Sequence, residues 1–176
     1  MSRRVLIFDT SVLCCWLAVP GKDEAGPIED RWNQARIQEL VDQECDKQST
    51  FVLPLASLIE TGNHIAQAPR DRYGGDRDRH ELATRLADYL RKAADSDTPW
   101  AAFTDQSLLW EAEHLKKLAA EWPALAASGF SIGDATIKDV AEHYARAGYE
   151  VEILTGDAGL KAYQPTKPAQ VPRRRQ

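Results

Sequence analysis

Val5-Leu-Ile-Phe8 is a run of four apolar residues with no polar member, and it ends on Asp9-Thr10-Ser11. A strand with one face in water alternates apolar and polar residues. A continuous run must be covered on both faces, as parallel strands in α/β sheets are. Asp, Thr and Ser are favoured N-caps, so the chain is expected to pass straight from strand into a helix carried by Val12, Leu13, Trp16 and Leu17. The pairing recurs. Phe51-Val-Leu-Pro54 precedes a helical pattern over Ala56–Ala68, and Val151-Glu-Ile-Leu154 precedes Thr155-Gly-Asp157. Short apolar strands alternating with helices predict an α/β fold with a small, mostly parallel sheet and many helices.

Between these landmarks, Trp32, Ala35, Leu40, Val41 and Cys45 predict an amphipathic helix over about 29–47. Residues 69–77 read as a polar loop, and Leu82, Leu86, Tyr89, Leu90 and Ala93 as a helical stripe. Pro99–Phe103 is expected to be a short strand or turn. Asp105 is expected to cap a helix running through Leu108, Leu115 and Trp122. Ser131-x-x-Asp134 reads as a capping box opening a helix that Gly148 ends. No repeat or long linker divides the 176 residues, so a single domain is expected over 1–163, followed by a basic, Pro- and Arg-rich tail over 164–176.

The net charge of −5 argues against a protein that coats nucleic acid or an anionic membrane by bulk charge. No apolar run approaches the ~20 residues of a membrane span. Arg3, Arg4 and Val5–Val19 imitate a secretory signal, but Asp9 falls inside that apolar region, so the reading is cytoplasmic, without membrane partners. Cys14, Cys15 and Cys45 have no disulfide or zinc spacing and read as buried thiols. The four histidines have no ligand spacing and read as surface or core-edge residues.

Ligands of open parallel sheets bind beyond the carboxyl ends of the strands. Asp9 follows the first strand there and Asp157 the last, while Glu60 and Asp134 lie near helix starts. Each has a structural reading: Asp9 a helix cap, Asp134 half of a capping box, Glu60 an exposed helix acid, Asp157 a turn residue. Together they form a pattern: strand-Asp9-Thr10-Ser11, Leu55-x-x-x-x-Glu60, Ser131-x-x-Asp134, then Leu154-Thr155-x-Asp157. In order and surroundings this resembles the PIN-domain family of metal-dependent nucleases, which includes the toxin ribonucleases of bacterial toxin–antitoxin pairs. The resemblance runs from Val5 to about Tyr163. It implies a PIN-like three-layer α/β/α fold. It also implies an acidic pocket of Asp9, Glu60, Asp134 and Asp157, with Thr10 and Thr155 as hydroxyls beside it. A small antitoxin partner and a homodimer are implied as well. The chain departs from compact members in its longer segment between Gln67 and Ser128.

The chemistry of the residues agrees with that expectation. Two unit charges 4 Å apart repel by about 4 kcal/mol at an effective dielectric near 20, so clustered carboxylates call for protons or a divalent cation. Oxygen ligands without Cys or His select Mg²⁺ or Mn²⁺. The reaction that follows is in-line hydrolysis of an RNA phosphodiester by a metal-activated water. In that scheme Asp9 and Asp134 hold the principal ion, Asp157 binds through water or holds a second ion, Glu60 handles the attacking water, and Thr10 and Thr155 orient water and carboxylates. The alternatives are a catalytically silent PIN-like binding module and, further off, a haloacid dehalogenase-type phosphatase. The phosphatase needs an acid two residues after Asp9, where Ser11 stands. For gripping RNA, Arg70–Lys92 and the basic tail are candidates, although Arg70–Lys92 reads first as a salt-bridged helix face and the tail equally as a chain end without a role.

Overall fold

The computed structural model describes residues 4–69 and 76–166, with 76–78 described for their backbone alone. Its centre is a three-stranded parallel sheet in the order β4–β1–β5, built from β1 (Arg4–Phe8), β4 (Thr50–Val52) and β5 (Glu150–Leu154). Val5, Leu6, Ile7 and Phe8 are all fully buried, which is why the run carries no polar residue. Side chains alternate across the sheet. Leu6 and Phe8 pack with Val12, Trp16, Ile37, Phe51 and Trp100 on one face. Val5 and Ile7 pack with Val52, Ile137, Val140 and Ile153 on the other. Helices α1 (Thr10–Leu17) and α2 (Gln34–Asp46) supply the first face, and α6 (Ile132–Arg146) the second.

Helix α3 (Leu55–Gln67) packs against α1, α4 (Asp76–Asp95) and α6. Helix α5 (Ala112–Ala127) lies on α6, and the short α7 (Ala158–Lys161) follows β5. Because β1 sits between β4 and β5, the chain leaves β1 towards neighbours on opposite sides. That reversal opens a crevice at the carboxyl end of β1, where Asp9 stands.

Several sequence expectations change in detail. The helix expected over 29–47 starts only at Gln34, capped by Asn33, whose side chain accepts from the Arg36 amide. Ahead of it lies an antiparallel hairpin of β2 (Glu24–Ala25) and β3 (Trp32–Asn33), with a 3-10 turn at Ile28–Asp30. The Trp32 indole donates to the Thr155 carbonyl at 3.0 Å, a tertiary bond that holds the residue in the hairpin instead of a helix stripe. Within α2, Glu44 takes the inward position expected for Cys45, because Arg4 and Ser49 are there to receive its carboxylate; Cys45 is exposed, whereas Cys14 and Cys15 are buried. Asp105 does not cap a helix. It lies in a 3-10 segment, Phe103–Trp110, pinned where Gln106 donates to the Leu53 carbonyl, and α5 begins afterwards at Ala112. Pro99–Phe103 contributes one parallel bridge, from Trp100 to Phe51. Most of the expected 69–77 loop, with Arg70 and Arg72, and residues 167–176 of the tail lie outside the described residues. No described helix is long and apolar enough to cross a membrane.

Candidate functional site

Three of the four singled-out acids are helix caps, as their structural readings require. Asp9 caps α1 and Asp157 caps α7, while Asp134 forms a reciprocal capping box with Ser131. In a parallel sheet the helix after each strand starts at the strand's carboxyl end, so for Asp9 and Asp157 capping and lining the ligand crevice are one geometry; Asp134 opens α6, which runs from the same edge back to the start of β5. Capping does not require charge, since Ser and Asn cap as well as Asp.

All four acids line one cleft of ≈ 420 Å³. Asp9, Thr10, Ser11 and Cys14 enter from the start of α1, Glu60 and His64 from α3, Ser131 and Asp134 from the start of α6, and Asp157 from beyond β5. Lys22, Glu24 and Ala25, on the turn and strand after α1, close the remaining side. Thr155 does not line the cleft. It lies buried behind Asp9, donating to Asp9 Oδ2 at 2.8 Å and accepting from the Asp157 amide at 2.9 Å.

Asp9 is 5% exposed, and its Oδ2 also accepts from the Ser11 hydroxyl at 2.7 Å. Burial pushes its pKa above the ordinary value, and the hydroxyls of Ser11 and Thr155 with the amides of Thr10 and Ser11 offset this only in part. Glu60 is half-buried, not the exposed helix acid of its structural reading, and accepts from the Thr10 hydroxyl at 2.9 Å. Two glycines make room. A Cβ on Gly133, in the first turn of α6, would collide with the Glu60 carboxylate. A Cβ on Gly156 would come within 2.6 Å of the Gly26 nitrogen, so Gly156 lets the hairpin close against the cleft. Among the described residues, none of the four acids has an ion pair with a lysine or arginine.

Sequence reasoning passed over Ser11 as a ligand to Asp9, and Lys22, Glu24 and His64 as cleft residues. His64 stands four residues after Glu60 on α3, a spacing that places both on one helix face and was a usable signal. The basic stretch of α4 is largely structural in its described part. Arg79 donates to the Ala68 carbonyl, Arg85 to the Leu17 and Trp16 carbonyls, and Arg91 and Lys92 pair with Asp88.

The donor set is mainly carboxylate and hydroxyl oxygen, with the His64 imidazole at its edge; the one thiol in the cleft, Cys14, is pushed by burial up to about 11 and stays protonated near neutrality. That chemistry fits a hard divalent cation. Among the described residues no three His, Cys, Asp or Glu side chains converge closely enough to hold a metal ion as they stand. Mg²⁺ retains several waters and is commonly bound through one or two carboxylates, so a closed three-residue cage is not what it requires. No family model matches the chain, and no curated protein or solved structure matches it. The likeness to PIN-domain nucleases therefore stands on the residues quoted above.

Proposed function

We propose that the chain is a PIN-like, Mg²⁺- or Mn²⁺-dependent nuclease that hydrolyses RNA phosphodiester bonds. One observation carries the reading: Asp9, Glu60, Asp134 and Asp157, widely separated in sequence, line a single cleft at the carboxyl ends of the strands, and none is paired with a cation among the described residues. A structural role alone would not keep Asp9 as a nearly buried acid whose burial opposes its charge, when Asn or Ser would cap the same helix.

Asp9 and Asp134 would hold the ion, with Asp157 joining directly or through water. When bound, a divalent ion supplies positive charge that offsets the build-up on the phosphoryl oxygens and makes water a better nucleophile. The protein's share is orientation. Thr155 and Ser11 fix one oxygen of Asp9, and Thr10 fixes one oxygen of Glu60. Glu60 receives or orients the proton of the attacking water. Water's oxygen bonds to phosphorus, the bond to one sugar oxygen breaks, and that oxygen leaves with the electron pair to be protonated from solvent.

The toxin role extends this reading. An apolar groove lined by Ile59, Trp110, Leu115 and Ile132 shares Glu60 with the cleft, and supports a small protein partner that blocks it. A catalytically silent binding module is the second reading, favoured by the absence of a ready-made three-acid metal group among the described residues. Purified wild-type protein incubated with single-stranded RNA separates the two. Cleavage is expected with Mg²⁺ or Mn²⁺, lost in excess EDTA and restored by excess metal. Cleavage persisting in EDTA contradicts the metal reading, and no cleavage under any condition favours the binding module.

A further inference from the structure

Among the described residues every lysine and arginine but one ends on a fixed partner, either an ion pair or, for Arg79 and Arg85, backbone carbonyls. The exception is Lys22, and it lines the acidic cleft. The turn that puts it there is tightly built. Ala18 is a left-handed cap, Gly21 has φ +76, and the Lys22 amide donates to the Val19 carbonyl at 2.8 Å. Its acidic neighbours are already engaged elsewhere: Glu24 by Arg31, Glu60 by Thr10, Asp9 by Ser11 and Thr155. Lys22 is thus an exposed ammonium group facing a carboxylate cleft, bonded to none of it.

A polyanionic strand threading this cleft has a difficulty that a cation at the scissile phosphate does not solve. The next phosphate along must also pass the carboxylates. We infer that Lys22 binds that neighbouring phosphate and so fixes how a single-stranded RNA enters the cleft. The substrate class rests on the nuclease reading; the anion contact rests on Lys22 itself. Lysine suits the task as a point charge on a flexible stem that can follow a mobile backbone. Each phosphate contact on a single strand adds about 0.7 to the slope of log affinity against log salt.

The test compares Asp9→Asn with Asp9→Asn/Lys22→Gln, binding a fluorescent single-stranded RNA in Mg²⁺ across a salt series. The second change should weaken binding roughly five- to tenfold near 0.1 M salt and flatten the slope by about 0.7. Lys116→Gln, removing an exposed ammonium paired with Glu113 on α5, should change neither. In a series of oligonucleotides each carrying one neutral methylphosphonate linkage, one position should weaken binding to the parent and leave the Lys22→Gln protein unaffected. An unchanged slope, a loss independent of salt, or a parent that binds no RNA overturns the inference. If the slope falls as expected but wild-type protein cleaves nothing in any metal, the phosphate contact stands and the nuclease reading fails. Metal-dependent cleavage with an unchanged slope gives the reverse.

Discussion

Glu44 and Asp9 are two buried acids near opposite ends of the same sheet, and the chain treats them differently. Glu44 has a side chain 1% exposed and receives Arg4 at 2.7 Å, Lys47 at 2.9 Å and the Ser49 hydroxyl at 2.6 Å. Burial alone would raise its pKa, but the hydroxyl and the two cations prevail and hold it below the ordinary carboxylate value. Asp9 receives hydroxyls and amides but no cation, and burial wins. Arg4 also reaches Glu152, which Lys161 approaches at 3.5 Å, so the network near the start of β1 supplies its own positive charge. The cleft at the other end has only Lys22 among the described residues, bonded to none of its acids. Acids left in that state call for a proton or a cation from outside the chain, and the proposed divalent ion is such a cation.

The largest effect is expected at Asp9. Asp9→Asn keeps a cap and hydrogen-bond acceptor but removes the charge; metal-dependent RNA cleavage should fall by about 10³-fold or more, measured as initial rates at saturating Mn²⁺. Activity within a few fold of wild type would remove Asp9 from the chemistry. The next effect belongs to the other end. Glu44→Ala leaves the Ser49 hydroxyl without its acceptor and Arg4 with Glu152 alone, and should cost about 2–4 kcal/mol, lowering Tm by roughly 5–15 °C. Residual cleavage below that transition should stay close to wild type.

A smaller and more local effect is expected at Gly133. The added methyl group of Gly133→Ala meets the end of the flexible Glu60 side chain, which can turn away, so stability should shift by no more than about 1 kcal/mol. Cleavage should drop by about tenfold, because Glu60 has left its place. A large loss of Tm with unchanged specific activity would show that the contact matters for packing only. The smallest effect concerns metal-free stability. Because the folded-state pKa of Asp9 is raised, the wild type keeps its full stability below the unfolded carboxylate value near ~4 and loses part of it as pH rises through the folded value. Asp9→Asn should therefore melt higher than wild type at pH 7 in EDTA, with the difference shrinking towards pH 4. Equal melting curves at both pH values would mean that burial imposes no penalty on Asp9.

What the sequence disclosed follows from how local each signal is. Strand β1 was legible because both of its faces are buried, leaving a run without a polar interruption, while β4 and β5 kept the shorter apolar runs Phe51–Leu53 and Ile153–Leu154. Asp9 and Asp157 were legible because caps after strands must gather at one edge of a parallel sheet, and Asp134 through its capping box with Ser131. The hairpin was not, since its strands are two residues each and depend on the bond from Trp32 to Thr155, 123 residues away. The inward turn of Glu44 was hidden for the same reason, its partner Arg4 lying 40 residues earlier. Lys22 carries no motif at all. Its significance lies in the pairing of the other described cations, which only the folded chain displays.

On the proposed function the cleft acids are completed by a divalent cation from outside the chain. Calorimetric titration of Mn²⁺ into metal-free wild-type protein and Asp9→Asn at pH 7 measures this without reference to any substrate. Saturable binding to the wild type, weakened by about tenfold or more in Asp9→Asn, is the predicted result. No saturable binding to the wild type, or equal binding to both proteins, would contradict it.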